Sequence, residues 1–262
     1  MCIRDRPAKD WKLGIQLWTF HISSFTDALK RVDSCGLTYI EAYPGQKLGD
    51  GFKGTFSPSM SSSDRQRIKI LLQQKGLRIA AFGVVVVQKS DEWESYFAFA
   101  KDLNIPLITA EPASTDLDLV NKLAGLYHIR VAIHDHPRPS SYWHPDSVLK
   151  AMIGHPNIGV CADIGHWIRN GMNVVTCLQQ LQGRVWVLHF KDVAAFGKKE
   201  AEDILLGKGV INIPSVLKEL KRQHFKGLIS IEHEANWTTN VKDVQYDVAY
   251  YNEQLSKLSK KL

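Results

Sequence analysis

The chain alternates short apolar runs with longer amphipathic segments eight times along its length. The apolar runs are rich in Val, Ile, Leu and aromatic residues, as strands buried on both faces are. They occupy positions 13–18, 38–43, 78–84, 106–110, 130–133, 159–163, 185–190 and 228–232. The segments between them carry apolar residues at helical spacing, and two end on Gly36 and Gly76, which suit a helix C-terminus. Eight consecutive strand–helix units predict an α/β fold, a (β/α)8 barrel.

A doubly wound open sheet is the alternative architecture for this alternation. No GxGxxG follows the first strand, which removes the dinucleotide-binding form of that fold. The length of 262 residues suits one barrel, and the Ser- and Gly-rich stretch 52–63 is interpreted as a loop rather than a domain boundary. We predict a single barrel domain over residues 13–262, after a leader over residues 1–12 that is disordered or non-native.

Composition and charge argue against nucleic-acid and membrane partners. Lysine and arginine outnumber aspartate and glutamate by 33 to 27, a formal charge of +6, but the positive residues are scattered. This distribution predicts a solvated surface and no nucleic-acid partner. No apolar run approaches the roughly 18 residues of a membrane span, so no membrane partner is expected. The four cysteines, Cys2, Cys35, Cys161 and Cys177, show no CxxC spacing and are expected to be free thiols.

The opening residues MCIRDR look foreign to the domain and resemble read-through at the edge of an assembled sequence. The first ten residues are polar and lack the apolar segment of a signal peptide. The sequence as it stands predicts a cytoplasmic protein. A periplasmic or secreted location stays open if a native N-terminus with an export signal is missing.

Polar side chains follow the predicted strands at their carboxyl ends, the edge at which barrels of this type carry active sites. Because side chains alternate along a strand, the last residues of strands five to eight can point together at the barrel axis. We therefore predict one divalent-metal site with four ligands: His134, Asp163, His189 and Glu232. Two imidazoles and two carboxylates suit Mn, Co, Zn or Fe, and Mg less well because of the nitrogen donors. Taken one at a time, each of these four residues also has a purely structural interpretation, such as the N-cap of a helix for Asp163.

Four further features follow the strands in order: the DxxH of residues 163–166, the HxKD of residues 189–192, the glycine turn 207–209, and Glu232. With them the chain resembles, over residues 13–258, the xylose-isomerase-like barrels, the sugar phosphate isomerases/epimerases. In that family the Asp, the strand-seven His and the strand-eight Glu bind a divalent metal, and the His of DxxH contacts substrate. The resemblance implies these roles for Asp163, His189, Glu232 and His166.

The chain departs from that family at strand five, where the usual glutamate of Glu-Asn-His is replaced by His134. In related ketose epimerases this glutamate and the strand-eight glutamate are paired acid/base groups, so a two-carboxylate mechanism needs a substitute here. Glu111, which ends strand four beside His134, is the candidate, and a salt bridge to a lysine or arginine is its structural alternative. The catalytic base is predicted to be Glu111 or Glu232.

Substrate contacts are expected from aromatic and polar residues near the strand ends. Aromatic walls suit the apolar faces of sugars, and at least two of four tryptophans are expected to line a pocket: Trp18, Trp143, Trp167 and Trp237. Glu41 is expected to orient a metal ligand or to bind a sugar hydroxyl. Hydroxyl contacts are assigned to His136, His166 and Lys191; Lys191 has the alternatives of stabilising an enolate or pairing with Asp192.

The favoured function is metal-dependent isomerisation or epimerisation of a sugar or keto-sugar through an enediolate. The alternative is a lyase or dehydratase acting on a keto-sugar or inosose at the same site. DNA repair is disfavoured, because the abasic-site endonucleases that share this barrel need more ligands, including a His after strand three, where this chain has only Val and Gln. A non-catalytic sugar-binding barrel is a fourth option. Phosphorylation of the substrate and homo-oligomer formation stay open, with a non-phosphorylated sugar preferred.

Overall fold

Eight parallel strands close into a barrel in this computed structural model, which describes residues 11–260. In chain order the strands are β1 (Lys12–Gln16), β2 (Tyr39–Ala42), β3 (Arg78–Val85), β4 (Leu107–Ala110), β5 (Arg130–His134), β6 (Ile158–Asp163), β7 (Val185–Phe190), the short β8 (Asp192–Val193) and β9 (Asp203–Ile204), and β10 (Leu228–Ile231). Strands β8 and β9 form a separate antiparallel hairpin, and β10 closes the barrel by pairing with β1. The predicted (β/α)8 barrel is confirmed, and closure excludes the open sheet.

The helices surround the barrel. They are α1 (Phe25–Ser34), α2 (Ser62–Lys75), α3 (Trp93–Asp102), α4 (Leu117–Tyr127), α5 (Pro145–Ala151), α6 (Ile164–Arg169), α7 (Val174–Gln180), α8 (Ile213–Arg222) and α9 (Val241–Lys260). Local sequence sets their ends: Ser24 and Ser61 cap α1 and α2 through side-chain oxygens, and Gly76 ends α2 at a φ of 65°. Since β6 is followed by two short helices, this unit departs from the simple alternation.

Two apolar cores support the polar residues at the strand ends. One lies between strands and helices, and the other fills the barrel with small side chains that include Ala81, Ala132 and Cys161. Cys161 and Asp163 lie two residues apart on β6, as do Val187 and His189 on β7. Because alternate residues of a strand face the same way, each polar residue lies directly above an apolar floor.

The barrel begins earlier than the sequence predicts. Lys12 already belongs to β1, and the Trp11 ring donates a hydrogen bond of 2.8 Å to the Phe225 carbonyl. The remaining leader positions, with Cys2, lie outside the described residues. Cys35, Cys161 and Cys177 are buried and free. Among residues 11–260, no helix has the length and apolarity needed to cross a membrane.

Asp192 organises the loop that follows β7. Its carboxylate accepts hydrogen bonds of 2.9–3.0 Å from four backbone N–H groups, those of Val193, Gly207, Gly209 and Ile211. A side chain at position 209 would collide with that carboxylate, and Gly207 adopts a φ of 77°. The HxKD aspartate and the glycine turn therefore form one structural unit.

Replacing Asp192 by alanine is expected to lower the free energy of unfolding by about 3 kcal/mol, because buried N–H groups lose a charged acceptor. Chemical denaturation measures the change. Asp118→Ala is the control, since Asp118 is fully exposed, and it should change stability by less than about 0.5 kcal/mol. Equal stabilities of the two variants would contradict this role for Asp192.

Candidate metal centre

The four side chains predicted as metal ligands converge at the carboxyl ends of β5, β6, β7 and β10. His134 Nε2 lies 3.1 Å from His189 Nδ1, which lies 3.1 Å from Glu232 Oε2. Asp163 Oδ2 lies 3.6 Å from His134 Nε2 and 3.7 Å from His189 Nδ1. Ligands about 2.1 Å from one metal ion are separated by roughly 3–3.6 Å. The spacing of these donors is therefore that of a single coordination sphere.

Glu41 fixes the orientation of His189. The Nε2 atom of His189 lies 3.0 Å from Glu41 Oε2, and the Thr109 hydroxyl donates a 2.6 Å hydrogen bond to Glu41 Oε1. All three residues are buried. With the imidazole proton directed to Glu41, the lone pair of Nδ1 faces the other donors, an arrangement typical of metal-binding histidines. Glu41 thus lies beneath a candidate ligand and does not reach the pocket.

Glu111 has a similar position behind His134. Its Oε1 lies 3.7 Å from His134 Nδ1 and also pairs with His136 Nδ1. Its Oε2 accepts a 2.7 Å hydrogen bond from Ser140. Burial would raise the pKa of Glu111, but the neighbouring imidazoles of His134 and His136 hold it well below its usual range. A salt bridge to lysine or arginine, the structural alternative, is wrong: the partners are two histidines and a serine.

Asp163 uses its two oxygens differently. Oδ1 accepts the His166 backbone N–H at 2.9 Å and caps α6, while Oδ2 is buried and accepts no hydrogen bond from the described residues. Four side-chain nitrogens surround Oδ2 at 3.1–3.7 Å, those of Lys191, His166, His134 and His189. Burial would raise the pKa of Asp163, but the charges of His166 and Lys191 hold it well below its usual range. The helix-cap and ligand interpretations are therefore compatible.

The three consecutive polar residues that follow β10 point in alternate directions. Glu232 and Glu234 face the pocket, whereas His233 turns towards α9, where its Nδ1 lies 3.5 Å from Asp247 Oδ2. Lys191 contacts both glutamates, with Nζ 2.8 Å from Glu232 Oε2 and 2.7 Å from Glu234 Oε1. The expected pairing of Lys191 with Asp192 is wrong, because Asp192 points to the opposite side of the strand and binds backbone N–H groups.

A pocket of about 270 Å³ opens onto these strand ends. It is lined by Gln16, Trp18, Tyr43, Pro44, Gly83, Val84, His134, His136, His166, Glu232 and Glu234. Two larger cavities, of about 820 and 490 Å³, are lined by residues of α8 and α9 and by residues near the amino ends of the strands. Among residues 11–260 no carboxylate lines either of them, whereas the smaller pocket lies at the carboxyl ends of the strands and contains acidic and imidazole side chains.

The tryptophans mostly depart from the expectation. Trp18 lines the pocket, but the other three do not. Trp167 is buried in the core of the helical layer, Trp143 packs beneath Arg138, and Trp237 packs against His21. Like Trp18, these three tryptophans follow strand ends, so a place after a strand does not distinguish a pocket wall from a packed ring.

Three residues with polar side chains line the pocket without an assignment from the sequence. Gln16 ends β1, Tyr43 follows β2, and Glu234 lies two residues beyond Glu232. The alternation rule that selects Glu232 also selects Glu234, so that signal was present. Gln16 and Tyr43 occupy strand-end positions as well, but their uncharged side chains give no chemical signal of a site.

The donor set fits a divalent metal ion. Both histidines have a carboxylate beside the ring nitrogen that faces away from the other donors, and Asp163 Oδ2 has no other hydrogen-bonding role within the described residues. The three donors Asp163, His189 and Glu232 lie within 4.8 Å of one another, and His134 adjoins them. Nitrogen and oxygen donors in this ratio suit Zn, Mn, Co or Fe.

Comparisons with known proteins agree with this architecture. The model of the xylose isomerase-like TIM barrel family matches residues 29–254. No curated protein sequence matches the chain. The solved structure of an uncharacterised protein from Parabacteroides distasonis is 35% identical, with a TM-score of 0.76, and the match covers 93% of this chain and 99% of that one.

Two further solved structures are similar at lower identity. A D-tagatose 3-epimerase-like protein has a TM-score of 0.76 at 19% identity, covering 95% of this chain and 99% of its own. The probable 3-DHS dehydratase of Bacillus anthracis has a TM-score of 0.67 at 16% identity, covering 92% and 98%. At these identities the likeness shows a shared fold. Together with the family match over most of its length, the closed barrel shows that the chain belongs to the xylose isomerase-like TIM barrel family.

Proposed function

We propose that the chain is a divalent-metal-dependent isomerase or epimerase of a non-phosphorylated sugar or keto-sugar, acting through an enediolate. The observation that supports this most is the convergence of His134, Asp163, His189 and Glu232 at a pocket of sugar size. The neighbouring epimerase-like structure has the same barrel, although at its identity it supports the fold alone.

In this proposal each residue has a defined task. When bound, a divalent ion would be held by the four donors and would supply Lewis-acid polarisation of a substrate carbonyl and the adjacent hydroxyl, which would acidify the C–H bond between them. Glu232, which lines the pocket, removes that proton and gives an enediolate. Delivery of a proton to the opposite face by an acid on that side gives an epimer, and return of the proton from Glu232 to the neighbouring carbon gives an isomer. His136 and His166 bind substrate hydroxyls, and Trp18 excludes water.

Glu111 acts differently from Glu232 in this proposal. Its two oxygens are engaged by His136 and Ser140, and it is not among the residues that line the pocket. A carboxylate in this position orients the His134 imidazole rather than reaching a substrate carbon. We therefore assign the base to Glu232 and a positioning role to Glu111.

The pocket favours an uncharged substrate. Its lining, as given by the described residues, contains two glutamates and no lysine or arginine. Lys191 lies behind this lining and already contacts three carboxylates. A phosphate group would meet carboxylates without a free cation to bind it.

Turnover in deuterated water tests the reaction. Keto-pentoses and keto-hexoses are incubated with the metal-loaded enzyme, and products are identified by chromatography and NMR. Deuterium at the carbon next to the carbonyl is the expected result. Product formed without solvent deuterium would contradict the enediolate route and indicate a hydride shift.

A lyase is the second candidate. Removal of the same proton can expel a β-hydroxyl or glycosidic oxygen if an acid protonates it. His136, at the pocket and 46% exposed, is placed to do so. In that case a keto-sugar or inosose loses water or an alcohol, and an α,β-unsaturated product appears by ultraviolet absorption instead of an isomer.

Glu41→Gln tests whether Glu41 stabilises the metal centre by orienting His189. The variant keeps the shape of the side chain but removes the charge that holds the His189 imidazole, so metal affinity should fall by about 10- to 100-fold. Calorimetric titration of the metal-free protein with Mn²⁺ measures it. Asp118→Asn, which removes a negative charge from a fully exposed side chain, is the control for charge alone. Unchanged affinity in Glu41→Gln would remove Glu41 from the centre.

A further inference from the structure

Lys191 has an unusual position for a lysine of a metal site. Its side chain is 1% exposed, and its ammonium lies 3.1 Å from Asp163 Oδ2 and 2.8 Å from Glu232 Oε2. These are two oxygens of the proposed donor set. A metal ion about 2.1 Å from them would lie within roughly 5 Å of the ammonium. Two cations so close together in a buried site repel strongly.

The fold provides the space for this lysine. A methyl group at Gly165 would lie 2.5 Å from Lys191 Cδ and 2.7 Å from Cγ. Gly165 lies in α6, two residues after Asp163, so the lysine stem passes through a gap that only glycine leaves open. Residues 163–166 therefore contribute the metal donor Asp163 and, through Gly165, the space for the Lys191 side chain.

The ammonium has a third partner outside the donor set. Glu234 Oε1 lies 2.7 Å from Lys191 Nζ. The backbone of Glu234 is held by a 2.8 Å hydrogen bond from its N–H to Asp203 Oδ2, and Asp203 is itself paired with Arg169. The Glu234 carboxylate thus lies beside Lys191 at the edge of the pocket, on a backbone that Asp203 holds in place.

We propose that Lys191 is the internal counter-ion of the metal centre, which neutralises Asp163 and Glu232 in the metal-free chain and moves to Glu234 alone when a divalent ion binds. Metal affinity is then set by competition with a cation of the protein itself. The inference rests on the metal centre of the proposed function, but on no step of the proposed reaction.

Two substitutions should change metal affinity in opposite directions. Lys191→Met removes the competing charge at nearly constant volume, so the affinity for Mn²⁺ should rise by about tenfold or more. Glu234→Gln removes the alternative partner, so the ammonium stays on Asp163 and Glu232, and affinity should fall. Lys150→Met is the matched control, because it removes an exposed positive charge from α5 and should leave affinity unchanged.

The double variant separates displacement of the lysine from simple attraction between Glu234 and the metal. If Glu234 acts through Lys191, Glu234→Gln has no effect on Mn²⁺ affinity in the Lys191→Met background. An equal loss in both backgrounds would mean that Glu234 acts on the ion directly and would overturn the proposal. Each variant is freed of metal with a chelator and titrated with Mn²⁺ alone by calorimetry.

Thermal melts give an independent measurement. Lys191→Met should lower the melting temperature of the metal-free protein, which then holds unneutralised carboxylates, and should have little effect once Mn²⁺ is saturating. If Lys191→Met does not fold without metal, Glu234→Gln still tests the proposal through its predicted loss of affinity. Unchanged or weaker Mn²⁺ binding by folded Lys191→Met would overturn it.

The test of Lys191 and the test of the proposed reaction can fail independently of each other. Affinity is measured without sugar, whereas the reaction is measured by deuterium incorporation. The predicted affinity pattern without turnover of any sugar would overturn the reaction alone. Turnover of a sugar with an affinity that Lys191→Met does not raise would overturn the role of Lys191 alone.

Discussion

Asp163→Ala is expected to abolish metal retention while the barrel still folds. Oδ2 of Asp163 lies 3.6 Å from His134 Nε2 and 3.7 Å from His189 Nδ1, the two nitrogen donors, and 3.1 Å from the Lys191 ammonium. Loss of this carboxylate removes a ligand and leaves Lys191 among fewer negative charges. We expect metal affinity to fall by at least about 1,000-fold, roughly the worth of a charged ligand in a buried site. Elemental analysis of the purified variant measures retention.

Asp163→Asn is the matched control for folding. The asparagine side chain still provides an oxygen for the His166 N–H and so preserves the cap of α6. Its circular dichroism spectrum should match that of the unaltered protein, while its metal content should be low. His189→Ala and Glu232→Ala should lose metal as well. Stoichiometric metal in all three alanine variants would place the centre elsewhere.

Glu232→Gln is expected to lower turnover by about 100- to 10,000-fold, the usual worth of a positioned general base. The amide oxygen can still approach the metal, so the assay is run at saturating metal to separate proton transfer from metal binding. Exchange of solvent deuterium into substrate should be lost in parallel with turnover, because both require removal of the same proton.

Glu111→Gln is the comparison that decides between the two carboxylates. If Glu111 positions His134, the variant should bind metal about 10- to 100-fold more weakly and recover most of its turnover when metal is saturating. Near-complete loss of turnover at saturating metal, with normal turnover in Glu232→Gln, would reverse the assignment and make Glu111 the base.

The sequence alone determines the eight strand–helix units and the edge that carries the site, whereas closure into a barrel is decided by the structure. Strands buried on both faces must be apolar throughout, so eight such runs separated by amphipathic segments specify an α/β architecture before any contact is known. Polar residues that interrupt this pattern at the ends of strands are costly to bury and are therefore conspicuous. His134, Asp163, His189 and Glu232 are recognisable as a set for this reason, and the order of the strands brings them together.

Only the tertiary structure decides which partner each polar side chain takes. Lys191 is adjacent to Asp192 in sequence, yet strand alternation turns them apart and places Lys191 against Asp163, Glu232 and Glu234. Trp18 and Trp167 both follow strand ends, but one lines the pocket and the other packs in the core. Such outcomes depend on loop paths and on contacts between distant segments, which local periodicity does not encode. The chain thus specifies where its polar groups gather, and the packing of the loops and helices around the barrel decides how they pair.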